Sequence, residues 1–170
     1  MTEVISPAEI VDIVIEDDRW LDAGLVTLAE RAARAVGEWL DLHDFQIVVM
    51  GCDDARISEL NEEFRGKPRP TNVLSWPAIE FDARAPGVPP SLPDVDELGD
   101  IAISYDTSKR EADAQKKPFA DHVTHLLVHA TLHLAGYDHI DDLDAETMED
   151  AERSILGKLG IPDPYLEHEL

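Results

Sequence analysis

The stretch His129-Ala-Thr-Leu-His133-Leu-Ala-Gly136-Tyr-Asp-His139 constrains this chain most, because it prescribes a helix, the helix's end and the turn that follows. Residues four apart on a helix lie one above the other, so His129 and His133 aim two imidazoles at one point. Gly136 supplies the left-handed conformation that ends a helix and turns the chain. That turn returns His139 as a third ligand. Three neutral imidazoles with an open fourth position describe a catalytic zinc site better than a structural one.

The same spacing occurs in the metzincin peptidase pattern H-E-x-x-H-x-x-G-x-x-H. Those peptidases carry a general-base glutamate at the second position, where this chain has Ala130. A methyl group cannot take a proton. The metal reading survives the substitution and the peptidase reading weakens.

At 170 residues the chain fits one domain spanning 1–170, long enough to bury a core without staples. A hydrophobic share of 44% with mixed charges places it among soluble globular proteins. The single cysteine, Cys52, excludes an intrachain disulfide and the cysteine-based zinc patterns, so a reducing cytoplasm is the simplest setting. The start Met1-Thr-Glu-Val-Ile-Ser-Pro does not read as a signal peptide, and no segment is long enough to span a membrane. The net charge of −23 argues against general affinity for nucleic acid or anionic lipid. Basic residues are nonetheless concentrated in two short runs, Arg65, Lys67, Arg69 and Lys109, Arg110, Lys116, Lys117, which can hold a phosphate backbone locally.

Taken in order, Glu9 to Ile15 is rich in β-branched residues and reads as a strand. Gly24 to Leu40 is an amphipathic helix with Leu25, Leu28, Ala32, Val36 and Trp39 inward. A strand from Phe45 to Met50 follows, then a helix capped by Asp53 that carries Ile57, Leu60 and Phe64 inward. Pro68 and Pro70 break that helix. Strands are expected over Thr71–Trp76 and Leu98–Ser104, separated by a proline-rich loop at 82–97 whose length fits either a lid or partner contact or a plain surface insertion. A short charged helix from Thr107 to Lys116 precedes the motif helix, which opens at Pro118 and runs to about Ala135. A last helix, capped by Asp144, buries Met148, Ala151, Ile155 and Leu159, and a loose tail occupies 161–170. The expected fold is α+β: a small mixed β-sheet of about four strands packed with about five helices, one of them a zincin-like metal helix.

At about 100° per residue, His122, His125, His129 and His133 fall on one side of the motif helix, while Val123, Leu127 and Leu134 face the core. For His122 and His125, packing or surface positions are simpler than roles facing a substrate or a ligand. The acidic run from Asp141 to Glu152 reads as a solvated helix face or a contact for a partner protein. A zinc ion on three imidazoles keeps its double charge and lowers the pKa of bound water to about 7, which implies hydrolysis at a carbonyl or phosphoryl centre. Asp138 is a candidate base, or a group that orients the His139 ring. Imidazole also suits nickel, copper and iron.

The histidine stretch resembles the signature H-G-x-L-H-L-x-G-Y-D-H of the YbeY family, bacterial endoribonucleases of ribosomal RNA maturation. Leu60-Asn-Glu-Glu-Phe-Arg65-Gly-Lys-Pro-Arg-Pro-Thr71-Asn-Val-Leu-Ser-Trp-Pro77 and Leu98-Gly-Asp100-Ile-Ala-Ile resemble it too, so the likeness spans about 10–160. The resemblance implies one zinc ion on His129, His133 and His139, and a catalytic role for Arg65. A guanidinium suits that role because it binds phosphate through two donors and stabilises charge developing on phosphoryl oxygens. Read alone, Arg65 is a cation meeting the last carbonyls of a helix. Ala130 stands where the family has glycine, Asn72 where it has aspartate and Trp76 where it has phenylalanine, and the proline-rich insertion is longer than expected.

The resulting expectation is a metal-dependent endoribonuclease of single-stranded RNA, acting in ribosomal RNA 3′ end maturation and ribosome quality control. Its expected partners are ribosomal RNA and the ribosome or ribosomal proteins, in the cytoplasm, with neither membrane nor DNA. The alternatives are a non-enzymatic ribosome-maturation factor with structural zinc and, less favoured by Ala130, a zinc peptidase.

Overall fold

The computed structural model describes residues 2–4, 10–93 and 96–165. Five strands form one sheet: β1 (Thr2–Val4), β2 (Val11–Ile15), β3 (Gln46–Cys52), β4 (Val73–Pro77) and β5 (Glu97–Ser104), in the order β1-β2-β3-β5-β4. The three central strands are parallel, and the two edge strands run antiparallel to their neighbours. The helices are α1 (Arg19–Asp22), α2 (Leu25–Leu40), α3 (Asp54–Arg65), α4 (Tyr105–Gln115), α5 (Phe119–Leu134) and α6 (Asp142–Lys158). The α+β class expected from the sequence is the one found. Edge strand β1 and the single turn α1 are additions, and Glu9, expected to begin the first strand, lies outside the described residues.

Alternation along the strands sends successive side chains to opposite faces. Ile13 and Ile15 of β2, Val49 of β3 and Ile101 and Ile103 of β5 join Leu25 and Ala32 of α2 and Leu127 of α5 in the main core. Cys52 and Ala102, on the other face, meet Ile57 and Leu60 of α3 in a smaller cluster. The sheet therefore has one thickly covered face and one covered mainly by α3. Trp20 in α1 is fully buried, stacks on Phe119 and donates from its indole nitrogen to the Cys52 carbonyl at 3.0 Å. Among the described residues no helix is long and apolar enough to cross a membrane.

Asp53 caps α3 as expected, accepting from the Arg56 amide at 2.9 Å. The last helix starts earlier than expected. Asp141, not Asp144, is its cap and accepts from the Asp144 amide at 2.9 Å. Asp144 is instead free to accept from the Gly87 amide at 2.9 Å, which ties the proline-rich loop to α6. Phe64 also departs from expectation: it shares a helical stripe with Ile57 and Leu60 yet is 56% exposed, its ring edge-on to Trp76 beside an open hollow on the sheet face. The tail does not loosen at 161. Ile161 packs on the core and the Tyr165 hydroxyl donates to Glu152 at 2.6 Å, while 166–170 lie outside the described residues.

Candidate metal and phosphate site

Helix α5 ends as its sequence demands. The Gly136 amide donates to the His133 carbonyl and the Tyr137 amide to the Leu132 carbonyl, both at 3.0 Å, the paired bonds of a Schellman ending. Gly136 has φ +105°, and a Cβ there would lie 2.7 Å from the Phe81 ring. The proline-rich loop holds this turn from outside: Arg84 donates to the Gly136 carbonyl at 3.1 Å, and Thr147 of α6 donates to the Gly87 carbonyl at 3.1 Å. The loop thus braces the turn that delivers His139. Its sequence carries no signal for this role beyond its length.

His129, His133 and His139 line one cavity of about 560 Å³, together with Arg65 and edge strand β4 from Val73 to Trp76. The rings of His129 and His139 lie 5.3 Å apart, centroid to centroid. Glu152 of α6 is buried beneath them. An ionised carboxylate only accepts, so His129 donates from Nδ1 to its Oε2 at 2.8 Å, and His125 donates from Nε2 to its Oε1 at 2.7 Å. Burial pushes the Glu152 pKa up, but the hydrogen bonds from His125 and His129, the His129 charge and the Tyr165 hydroxyl outweigh it and hold the pKa down at about 2. Burial and the adjacent Glu152 charge push the Tyr165 phenol up, which keeps it a donor.

His133 shares a hydrogen bond of 2.6 Å between its Nδ1 and the Ser75 hydroxyl of β4. Its burial, and then the charges of His129 and His139, hold its pKa below the ordinary histidine value. Asp138 opposes that shift and Arg65 adds to it. The shift favours the neutral imidazole, the form that binds a metal.

Among the described residues no group of three or more His, Cys, Asp or Glu side chains is arranged to hold a metal ion. The donor chemistry nevertheless fits one. His129 and His133 each commit Nδ1 to an oxygen partner, and their Nε2 atoms have no hydrogen bond among the described residues. Metal-bound histidines are characteristically fixed in this way, with one nitrogen held by a carboxylate or hydroxyl and the other left for the metal. His139 is exposed and lacks such a partner among the described residues, and Asp138 accepts from the Ile140 amide at 3.5 Å rather than from the His139 ring.

Arg65 ends α3, exposed, on the rim of the same cavity. Arg65, Lys67 and Arg69 carry no ion pair among the described residues. The second basic run is largely committed: Lys109 pairs with Asp113, Arg110 with Asp54, and Lys117 donates to the Pro164 carbonyl. His122 donates from Nε2 to Glu111 of α4 at 2.9 Å, and Asn72 donates to the same carboxylate at 3.0 Å. His122 and His125 are therefore each tied to a carboxylate through Nε2, and His125 lines the cavity itself.

Residues 14–160 match the family described as endoribonuclease YbeY. This chain belongs to the endoribonuclease YbeY family. The endoribonuclease YbeY of Paracoccus denitrificans is 80% identical over 161 residues, covering 95% of this chain and 92% of that one. The YbeY endoribonuclease of Ruegeria sp. (strain TM1040) is 57% identical, covering 92% of this chain and 96% of its own. The solution structure of TM1509 from Thermotoga maritima shares the fold, with a TM-score of 0.51 at 24% identity over 91% of this chain and 99% of that one.

The sequence-predicted residues Arg65, His129, His133 and His139 thus meet in one cavity. Sequence reasoning missed Glu152, Ser75 and Arg84. Glu152 is not part of a solvated face, as its acidic neighbours implied, because its helix turns it onto α5. The one local signal for it was its place four residues after Met148 and three before Ile155, on the buried stripe. Ala130 sits in the main core, 1% exposed, where an ionised glutamate would be buried.

Proposed function

We propose that this endoribonuclease cleaves single-stranded RNA in the cytoplasm, in ribosomal RNA 3′ end maturation and ribosome quality control, with one zinc ion on His129, His133 and His139. The observation that carries the reading is the pair of oriented imidazoles: His129 held by buried Glu152 and His133 held by Ser75, both opening on the cavity that Arg65 rims. When bound, the zinc ion supplies Lewis acidity and a water whose pKa falls to about 7. Arg65 binds the scissile phosphate through its fixed guanidinium fork and meets the charge that grows on its oxygens. Glu152 keeps His129 in one tautomer and Ser75 holds the His133 ring in place, so neither ring spends free energy reorienting. Lys67 and Arg69 continue the phosphate track away from the site.

The test is cleavage of a single-stranded ribosomal RNA precursor, free and ribosome-bound, by protein freed of contaminating nucleases. Activity should disappear with a chelator, return with zinc in the parent, and not return in His133→Ala. Arg65→Ala should bind zinc normally and lose about 100-fold or more in kcat/KM, the scale of a removed oxyanion donor. Zinc bound equally by His133→Ala and the parent would refute the ligand set. Folded, zinc-loaded protein that supports ribosome maturation but cuts no RNA would favour a structural zinc factor.

A further inference from the structure

Phe64 occupies a helix position that periodicity sends inward, yet it is 56% exposed. Its ring stands edge-on to Trp76 of β4, 5.3 Å between centroids and 66° between planes. Both side chains line the histidine cavity. Both also line a neighbouring hollow of about 400 Å³ over the thinly covered sheet face, with Val48, Met50, Leu60 and Ala102. An apolar ledge thus runs without a break from the phosphate-facing rim onto the sheet.

We propose that Phe64 and Trp76 form the stacking platform for the nucleobase next to the phosphate that Arg65 holds. This deepens the endoribonuclease reading and rests on it. Phe64 and Arg65 both line the histidine cavity. A base and its own phosphate, covalently joined, can therefore meet the two side chains together. The exposed cations Lys67 and Arg69 follow Arg65 closely in the chain. Single-stranded nucleic acid is held by this combination of a cationic track and aromatic faces, without demand for a particular base. An edge-on aromatic pair leaves ring surface that its own partner does not cover. The hollow suits a planar ring in size, whereas a protein helix about 10 Å across would need a longer groove. Asp100, at the hollow's edge, repels a second phosphate and so favours the base over the backbone there.

The experiment uses a short oligoribonucleotide with one dominant cleavage site and a single abasic nucleotide moved through the flanking positions. With the parent protein, one flanking position should lower kcat/KM about tenfold when abasic, a loss within the range of base–aromatic stacking. Phe64→Ala and Phe64→Leu should both lose about as much on intact RNA and become indifferent to the abasic site, with melting temperatures close to the parent's. Parental kcat/KM in either variant, or an abasic penalty unchanged by them, overturns the proposal. Fluorescence recorded on mixing, before cleavage, gives a second readout: intact RNA should quench emission in the parent but not in Trp76→Phe. If the parent cuts no RNA, the endoribonuclease reading falls and quenching alone decides the platform. Quenching by intact but not by abasic RNA then supports it, and absence of quenching overturns it.

Discussion

Helix α5 makes two carboxylate–imidazole attachments that look alike in composition and differ in consequence. Near its middle, His125 and His129 bond to Glu152, which is fully buried. Near its start, His122 bonds to Glu111, whose side chain keeps 32% of its exposure. Burial raises both carboxylate pKa values and hydrogen bonds lower them, with the hydrogen bonds prevailing in both. Glu152 is held by three donors and fixes a ring that opens on the cavity. Glu111 joins the start of α5 to Asn72, just before β4. A buried carboxylate on a site histidine thus acts as an orienting group, and a half-exposed one acts as a tether.

The comparison is broken most directly by Glu152→Gln. Removing one member of a buried ionic network costs about 3 kcal/mol or more, which for a chain of this size lowers the melting temperature by roughly 6–12 °C. Zinc affinity should fall about 10- to 100-fold through loss of the partner of His129, measured by metal titration. A variant that melts and binds zinc like the parent would demote Glu152 to a packing residue.

Acid titration sharpens the same contrast. The Glu152 pKa is lowered from an ordinary 4.5 to about 2 in the folded protein. Its contribution is therefore complete above pH ~4.5 and is lost as pH falls toward 2. Denaturation followed between these limits should be steep in the parent and flatter in Glu152→Gln. The tether predicts less. Glu111→Gln should cost about 1 kcal/mol, since its partial exposure screens the charge, and should leave zinc affinity unchanged. The smallest effect belongs to Asn72→Asp, which replaces a donor to Glu111 with a like charge. It should destabilise by about 0.5 kcal/mol, a loss that shrinks in high salt.

The contrast also marks how far the sequence can be read. His129 and His133 were legible because helical spacing alone puts them on one face, and Gly136 because a helix ending there requires a left-handed residue. Arg65 was legible through its motif. Glu152 stands 23 residues from His129 and Ser75 stands 58 from His133, so no local periodicity joins them. The acidic run from Asp141 to Glu152 looked uniform, yet a 3.6-residue turn sends one member inward and leaves its neighbours in water. Phe64 was misplaced because a stripe tells which way a helix faces and not how fully the surface opposite is filled, and here a hollow is left between Phe64 and the sheet.

By itself, then, the sequence determined most elements of this protein and the histidines that gather at its cavity, because spacing along a helix, a capping residue and a glycine act over a few residues. Tertiary structure decided which oxygens hold those histidines, that the proline-rich loop braces the turn to His139, and that Arg65 and Phe64 share the rim of one cavity. Those outcomes depend on how α6, β4 and α3 pack around α5, and packing is settled by burial across the whole chain rather than by any segment of it.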